Sequence, residues 1–124
     1  MTQPVLRLLH KNLFASIFVA VVIFSCDESM NENCNVSDPM EELAWLADYK
    51  NSLSNCTCTI TIFEGKYLFQ TVYFSLMNDP VCNSVFGTTL FDCEGNAIKS
   101  YGPDDITRFN KEVRTGDTLY VCEE

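Results

Sequence analysis

A chain of 124 residues supports one small domain, and 17 acidic against 8 basic residues give it a net charge of −9. Nucleic-acid binding draws on Lys and Arg to displace phosphate counterions, so this balance excludes it. A fold this small buries a modest core and is expected to need staples; the chain carries seven cysteines.

Arg7, His10 and Lys11 form a basic flank, and Leu13 to Phe24 is an apolar run interrupted only by Ser16. The run is long enough for a secretory leader and too short for a membrane-spanning helix, which needs about 20 apolar residues. It ends in Ile23-Phe24-Ser25-Cys26, an aliphatic residue at −3, a small one at −1 and then a cysteine. This resembles the bacterial lipobox. The resemblance implies cleavage after Ser25, diacylglyceryl alkylation of the Cys26 sulfur and acylation of the new amine. Two or three acyl chains hold a protein on a bilayer at about 0.8 kcal/mol per buried methylene, whereas one chain does not.

Residues 1–25 are therefore expected to be a lipoprotein signal peptide. All 17 acidic residues follow Cys26, and Lys50, Lys66, Lys99, Arg108, Lys111 and Arg114 are the basic residues that remain. The mature balance is 6 minus 17, a net −11, and adsorption to anionic lipid is disfavoured on the same count. Cysteine parity agrees with lipidation. With Cys26 assigned to lipid, Cys34, Cys56, Cys58, Cys82, Cys93 and Cys122 can form three bridges in the oxidising compartment that export implies. Fifteen connectivities are open to six cysteines, and spacing does not choose among them.

Residues 26–37 are polar and acidic and read as a flexible tether, so the domain is expected over 38–124. Asp38-Pro39-Met40-Glu41 starts a helix: Asp38 caps, Pro39 suits the first helical position and Glu41 completes a capping box. Leu43, Leu46, Tyr49 and Leu53 recur at helical spacing beside Trp45, which marks a core-facing stripe. From Cys56 to Gly65 the pattern alternates, with Cys56, Cys58, Ile60 and Ile62 on one face and threonines on the other. A second strand spans 70–77, with Val72, Phe74 and Leu76 inward. Both inward sets fall on even numbers, so the hairpin is expected to have a three- or five-residue connection or a bulge, with Gly65 supplying positive φ.

Asn78-Asp79-Pro80 breaks that strand. Strands follow at 88–93 and 97–101, joined at Glu94-Gly95-Asn96. Gly102-Pro103-Asp104-Asp105 opens a short helix carrying Ile106, Phe109 and Val113, Arg114 to Asp117 turns, and 118–122 is the last strand. The expected fold class is α+β: one N-terminal helix packed on an antiparallel β-meander of four to five strands, with a short C-terminal helix and disulfide staples.

Leu43-Ala-Trp-Leu, Cys56-Thr-Cys, Gln70-Thr-Val-Tyr, Asn78-Asp-Pro-Val-Cys-Asn and Leu90-Phe-Asp-Cys-Glu-Gly-Asn occur in an order that resembles a family of small uncharacterised Bacteroidota-type envelope lipoproteins. The likeness covers residues 38–100. It implies fold and address, and it implies no activity. Acidic residues directly after the lipidated cysteine look like the surface-export signals of such lipoproteins, whereas Asp there in enteric bacteria implies retention at the inner membrane. The expected location is the cell envelope, as an outer-membrane lipoprotein facing the periplasm or the surface.

Chemistry is bounded by one absence. His10, the only histidine, is expected to leave with the leader, so the mature chain has no imidazole for a nucleophilic triad or a zinc site. No catalytic, cofactor-binding or metal residue is nominated. Cys56-x-Cys58 is open to a redox or metal reading, but residues i and i+2 of a strand are too extended to bridge each other, so each is expected to staple to a different element. Asp92, Glu94 and Asn96 have the opening rhythm of a calcium loop, yet Ala97 stands where Gly is wanted, and a plain turn is expected. Tyr67, Phe69, Tyr73 and Phe86 form either an exposed aromatic patch or core. The expected function is a lipid-tethered, non-enzymatic interaction module with an envelope or extracellular partner, and the alternative is a thiol-based redox or metal-handling protein.

Overall fold

The computed structural model describes residues 33–82 and 85–123; the leader and Cys26 lie outside them. The fold is α+β, with a five-stranded antiparallel sheet, short helices and three disulfides. Two short helices come first, α1 (Pro39–Glu42) and α2 (Ala44–Ser52). The strands are β1 (Ile60–Tyr67), β2 (Gln70–Met77), β3 (Thr88–Phe91), β4 (Ala97–Tyr101) and β5 (Val113–Cys122). A 3-10 turn (Pro103–Asp105) and α3 (Ile106–Glu112) precede β5. The sheet order is β4-β3-β2-β1-β5: four strands meander, and the chain then returns to the far edge to pair β5 with β1.

The cap at the start of α1 uses a different acid from the one expected. Asp38 accepts from the Met40 N–H at 3.1 Å with Pro39 in the first turn. The reciprocal acceptor is Glu42, not Glu41: its Oε1 takes the N–H groups of Ser37 and Asp38 at 2.7 and 2.8 Å. Leu43, in extended geometry, then separates α1 from α2.

The hairpin between β1 and β2 corrects the parity argument. Phe63 pairs with Phe74 and Gly65 with Val72, so Ile62 and Val72 lie on opposite faces, and only Leu68 and Phe69 make the turn. The expectation of a three- or five-residue connection assumed a sheet with one buried face. This sheet is covered on both. On one face Val72, Phe74, Leu90, Tyr101, Phe109 and Val113 form a core that includes α3. On the other Leu46, Ile62 and Tyr73 pack with Leu43, Trp45, Tyr49 and Leu53. Four successive residues, Thr71 to Phe74, are consequently buried.

Gly65 does not supply positive φ. A Cβ there would stand 2.7 Å from the Arg114 carbonyl oxygen and 2.9 Å from the Phe74 ring, so glycine is required for close approach. β5 is also longer than expected. It begins at Val113, and the segment that resembled a turn, 114–117, is strand with shifts in its register to β1 between Ile62 and Gly65. Gly116 serves that irregular stretch: a Cβ would meet the Glu64 carbonyl oxygen at 2.9 Å.

Candidate functional site

The β1–β2 turn is the most unusual piece of backbone. A two-residue hairpin turn of the primed kind needs positive φ at both central positions, which is why Asn-Gly dominates such turns. Here the two residues are Leu68 (φ 49°) and Phe69 (φ 67°). Each non-glycine residue held in that region costs about 1–2 kcal/mol, and the side chains do not recover it by burial: Leu68 is 70% and Phe69 84% exposed. The tightness of the loop, not core packing, places an apolar pair at the tip.

Cations surround that pair. An open cleft of about 730 Å³ is lined by Leu68 and Phe69, by Lys66 of β1, and by Lys111, Glu112 and Arg114 at the α3–β5 junction. Lys66 and Arg114 are direct cross-strand partners and share a face of the sheet. Like charges in such positions repel. The Lys66 ammonium also donates to Asn33 Oδ1 at 2.6 Å and Thr71 Oγ1 at 2.8 Å, which brings the first described residue to the same end of the sheet. Glu112 is already engaged: its Oε2 accepts the Tyr101 hydroxyl at 2.7 Å and lies 3.8 Å from Lys99 Nζ. Three of the six basic side chains that follow Cys26 thus line one cleft beside an exposed Leu-Phe tip.

The cysteines pair as Cys34–Cys93, Cys56–Cys122 and Cys58–Cys82. The expectation that Cys56 and Cys58 staple to different elements holds: one reaches the end of β5, the other the loop after β2. Cys58, Asp79 and Cys82 bring donor atoms within 4.8 Å of one another. Two of those donors are bonded to each other, and Asp79 holds the N–H groups of Thr59 at 3.0 Å and Val81 at 2.8 Å. These bonds, led by the one from Thr59, keep its carboxyl below the ordinary aspartate value. Cys34 pins the chain ahead of residue 38, within the segment expected to be tether.

The calcium-like rhythm is a turn. Asp92 accepts from the Glu94 and Asn96 backbone at 3.0 and 2.8 Å, and Gly95, at φ 84°, lies under Trp45. Trp45 donates its indole N–H to the Cys93 carbonyl at 2.8 Å and meets Tyr73 edge-on. Of the aromatic set Tyr67, Phe69, Tyr73 and Phe86, only Phe69 is strongly exposed; Tyr73 is buried, and Tyr67 and Phe86 pack on the core that contains Phe109. Asp105, at the start of α3, accepts the Gly102 N–H at 2.8 Å and pairs with Arg108 at 2.7 Å. The tip itself was missed in the sequence: Tyr-Leu-Phe-Gln is indistinguishable from strand, and the only signal was the spacing of the flanking alternations.

Tyr73 carries a hydroxyl with no hydrogen-bond partner among the described residues. Burial first, and then the negative charge of Glu64, push its phenol above the ordinary tyrosine value of 10.0. Burial and Glu112 do the same to Tyr101. Above pH 10 the unfolded chain releases protons that the folded chain retains, so stability is full below pH 10 and falls as pH rises toward the folded values. Tyr73→Phe is expected to be neutral or stabilising at pH 7, because it removes an unpaired group, and to flatten the alkaline fall. Tyr101→Phe instead loses its bond to Glu112 and is expected to destabilise at pH 7. Urea midpoints at pH 7 and about pH 11 measure both; a lower midpoint for Tyr73→Phe at pH 7 contradicts the assignment.

No helix among the described residues is long and apolar enough to cross a membrane. Comparison with protein-family models, with curated proteins and with solved structures returned no match for this chain.

Proposed function

We propose that this chain is an envelope lipoprotein, held by acyl chains on Cys26, whose domain is a non-enzymatic binding module. The supporting observation is the cysteine pairing. Three bridges consume all six other cysteines and leave Cys26 without a cysteine partner in the chain. An odd thiol behind a secretory leader needs another fate, and the lipobox-like residues before it supply one. The exposed Leu68-Phe69 tip supports the binding role, since a strained, solvent-facing apolar pair has no purpose in the core. The reading places the domain at the outer membrane, facing the periplasm or the surface. Mass spectrometry of the processed protein is expected to find residue 26 as the N-terminus, with acyl chains on its sulfur. An unmodified sulfur, or a different start, overturns the proposal.

The alternative, a thiol-based redox or metal-handling protein using Cys56 and Cys58, is favoured by one observation: reduction of Cys58–Cys82 would place two thiolates beside the Asp79 carboxylate. It would leave Cys56 in a separate bridge. A redox titration against glutathione separates the readings, because a Cys58–Cys82 bridge whose potential lies below about −300 mV behaves as a structural staple and rejects the redox form. Elemental analysis decides the metal form.

A further inference from the structure

We propose that the cleft beside the β1–β2 tip is closed by this chain's own segment 27–32, whose Glu28 and Glu32 pair with Lys111 and Arg114 while Met30 covers Leu68 and Phe69. The contact itself is independent of acylation. Its consequence, that the tip is withheld from a partner until the segment is displaced, rests on the binding role given to the tip above.

The occupant follows from where the described chain starts. Asn33 lines the cleft, and its Oδ1 accepts from Lys66 Nζ at 2.6 Å. The next residue, Cys34, is bridged to Cys93. Residue 32 therefore begins one Cα spacing, about 3.8 Å, from the cleft wall, and the whole segment extends at most about 20 Å. A segment attached there meets the cleft at an effective concentration far above that of a separate peptide.

Charge selects the same occupant. The segment carries Asp27, Glu28 and Glu32 and no basic residue, and the cleft carries Lys66, Lys111 and Arg114. The cleft's own carboxylate, Glu112, accepts the Tyr101 hydroxyl and lies beside Lys99. Lys66 is engaged with Asn33 and Thr71. Lys111 and Arg114 belong to neither ion pair among the described residues, which are Lys99–Glu112 and Arg108–Asp105. An acidic peptide arriving from elsewhere is repelled by the net negative charge of the chain, whereas the attached segment is already at the site.

An apolar contact completes the fit. Met30 is the only apolar residue of the segment, between the two glutamates that flank it. Its unbranched thioether suits an irregular surface and packs favourably on an aromatic ring, which Phe69 presents beside Leu68. Exposed ion pairs contribute little each and are screened by salt, so the segment is a reversible latch. A partner that outcompetes it gains the Leu68-Phe69 tip.

The test uses the purified chain in uncharged detergent. Phe69→Trp places a reporter at the tip, and the parent chain supplies the background from Trp45, which is packed against Cys93 and Gly95. Glu28→Gln with Glu32→Gln is expected to raise acrylamide quenching of the reporter roughly twofold, because exposed pairs hold the closed form only by a small margin. About 0.5 M salt should do the same. Lys111→Glu with Arg114→Glu opens the latch as well, and adding Glu28→Lys with Glu32→Lys should close it again. Restoration by exchanged charges separates pairing from a structural effect of either substitution. A synthetic peptide of residues 27–33 is expected to protect the reporter of the Gln variant at lower concentrations than it protects the reporter in the parent background. Equal protection of the two overturns the withholding of the tip. Quenching that is the same in every variant overturns the contact. Protection that rises with protein concentration assigns the segment to a second copy, and protection indifferent to the charges assigns the cover to detergent; either result overturns the latch. Mass spectrometry of the same sample keeps the two proposals apart: an unmodified Cys26 with charge-dependent closure overturns the anchorage alone, and an acylated Cys26 without it overturns the latch alone.

Discussion

Replacing Cys56 and Cys122 together by serine is expected to lower the stability of the folded chain by about 4 kcal/mol, and by more than replacing Cys58 and Cys82. The Cys56–Cys122 bridge joins residues 66 apart and Cys58–Cys82 residues 24 apart. On the chain-entropy account the longer loop is worth about 4 kcal/mol and the shorter about 3. Packing widens the gap. Cys122 is 5% exposed and sits opposite Ile60 at the start of β1, whereas Cys58 and Cys82 border the exposed loop after β2. A serine hydroxyl at 122 would be enclosed by the same walls that enclose the sulfur. The bridge also connects the turn that ends α2, where the Cys56 N–H donates to the Leu53 carbonyl at 3.1 Å, to the last residue of β5. Without it the edge strand and the Leu46 core lose a shared covalent tie. For a domain of this size the loss corresponds to roughly 15–30 °C in Tm. Urea unfolding of the two serine pairs measures it, and a larger fall for the Cys58–Cys82 pair would contradict the ranking.

How far the sequence carried depends on which side of the sheet a residue faces. The α+β class, the strand at 70–77, the turn at Glu94-Gly95-Asn96 and the separate partners of Cys56 and Cys58 were legible from alternation, turn chemistry and cysteine geometry. The parity of the hairpin was not. In a sheet with one buried face, Val72, Phe74 and Leu76 would have to share a side with Ile60 and Ile62. Here both sides are covered, and Thr71 and Tyr73, which alternate with Val72 and Phe74, lie on the α2 side. An amphipathic side chain such as Tyr is compatible with either environment, so its chemistry did not reveal the second core. Gly116 misled in a similar way. Arg-Thr-Gly-Asp has the composition of a turn, but its glycine answers to the Glu64 backbone across an irregular strand pair. The tip was hidden for the opposite reason. Leu and Phe at positive φ contradict local preference, and a site maintained against propensity leaves no mark in a propensity reading.

The largest single-residue effect is expected at Phe74. Its side chain is fully buried at the centre of the sheet, on the face covered by α3. The ring stacks near Phe63 at 5.7 Å and meets Phe109 edge-on at 5.4 Å, so it links β1, β2 and α3. Its edge also fills the space that a side chain at Gly65 would need, 2.9 Å from the position of a Cβ there. Truncation at Phe74 therefore opens a void bordered by a glycine, which has no side chain to move in, and by two rings held by their own neighbours. A site that cannot collapse lies at the high end of large-to-small costs, about 3–5 kcal/mol for Phe→Ala. Phe109 would lose one of its three ring partners and keep Phe86 and Tyr101, so α3 is expected to remain docked more loosely and not to detach. Phe74→Leu should cost less, because it retains most of the volume while losing both ring contacts. Urea midpoints give the size of each effect, and hydrogen exchange in α3 separates loosening from detachment. An alanine variant that loses under about 1 kcal/mol would mean that the β2–α3 layer repacks without this ring.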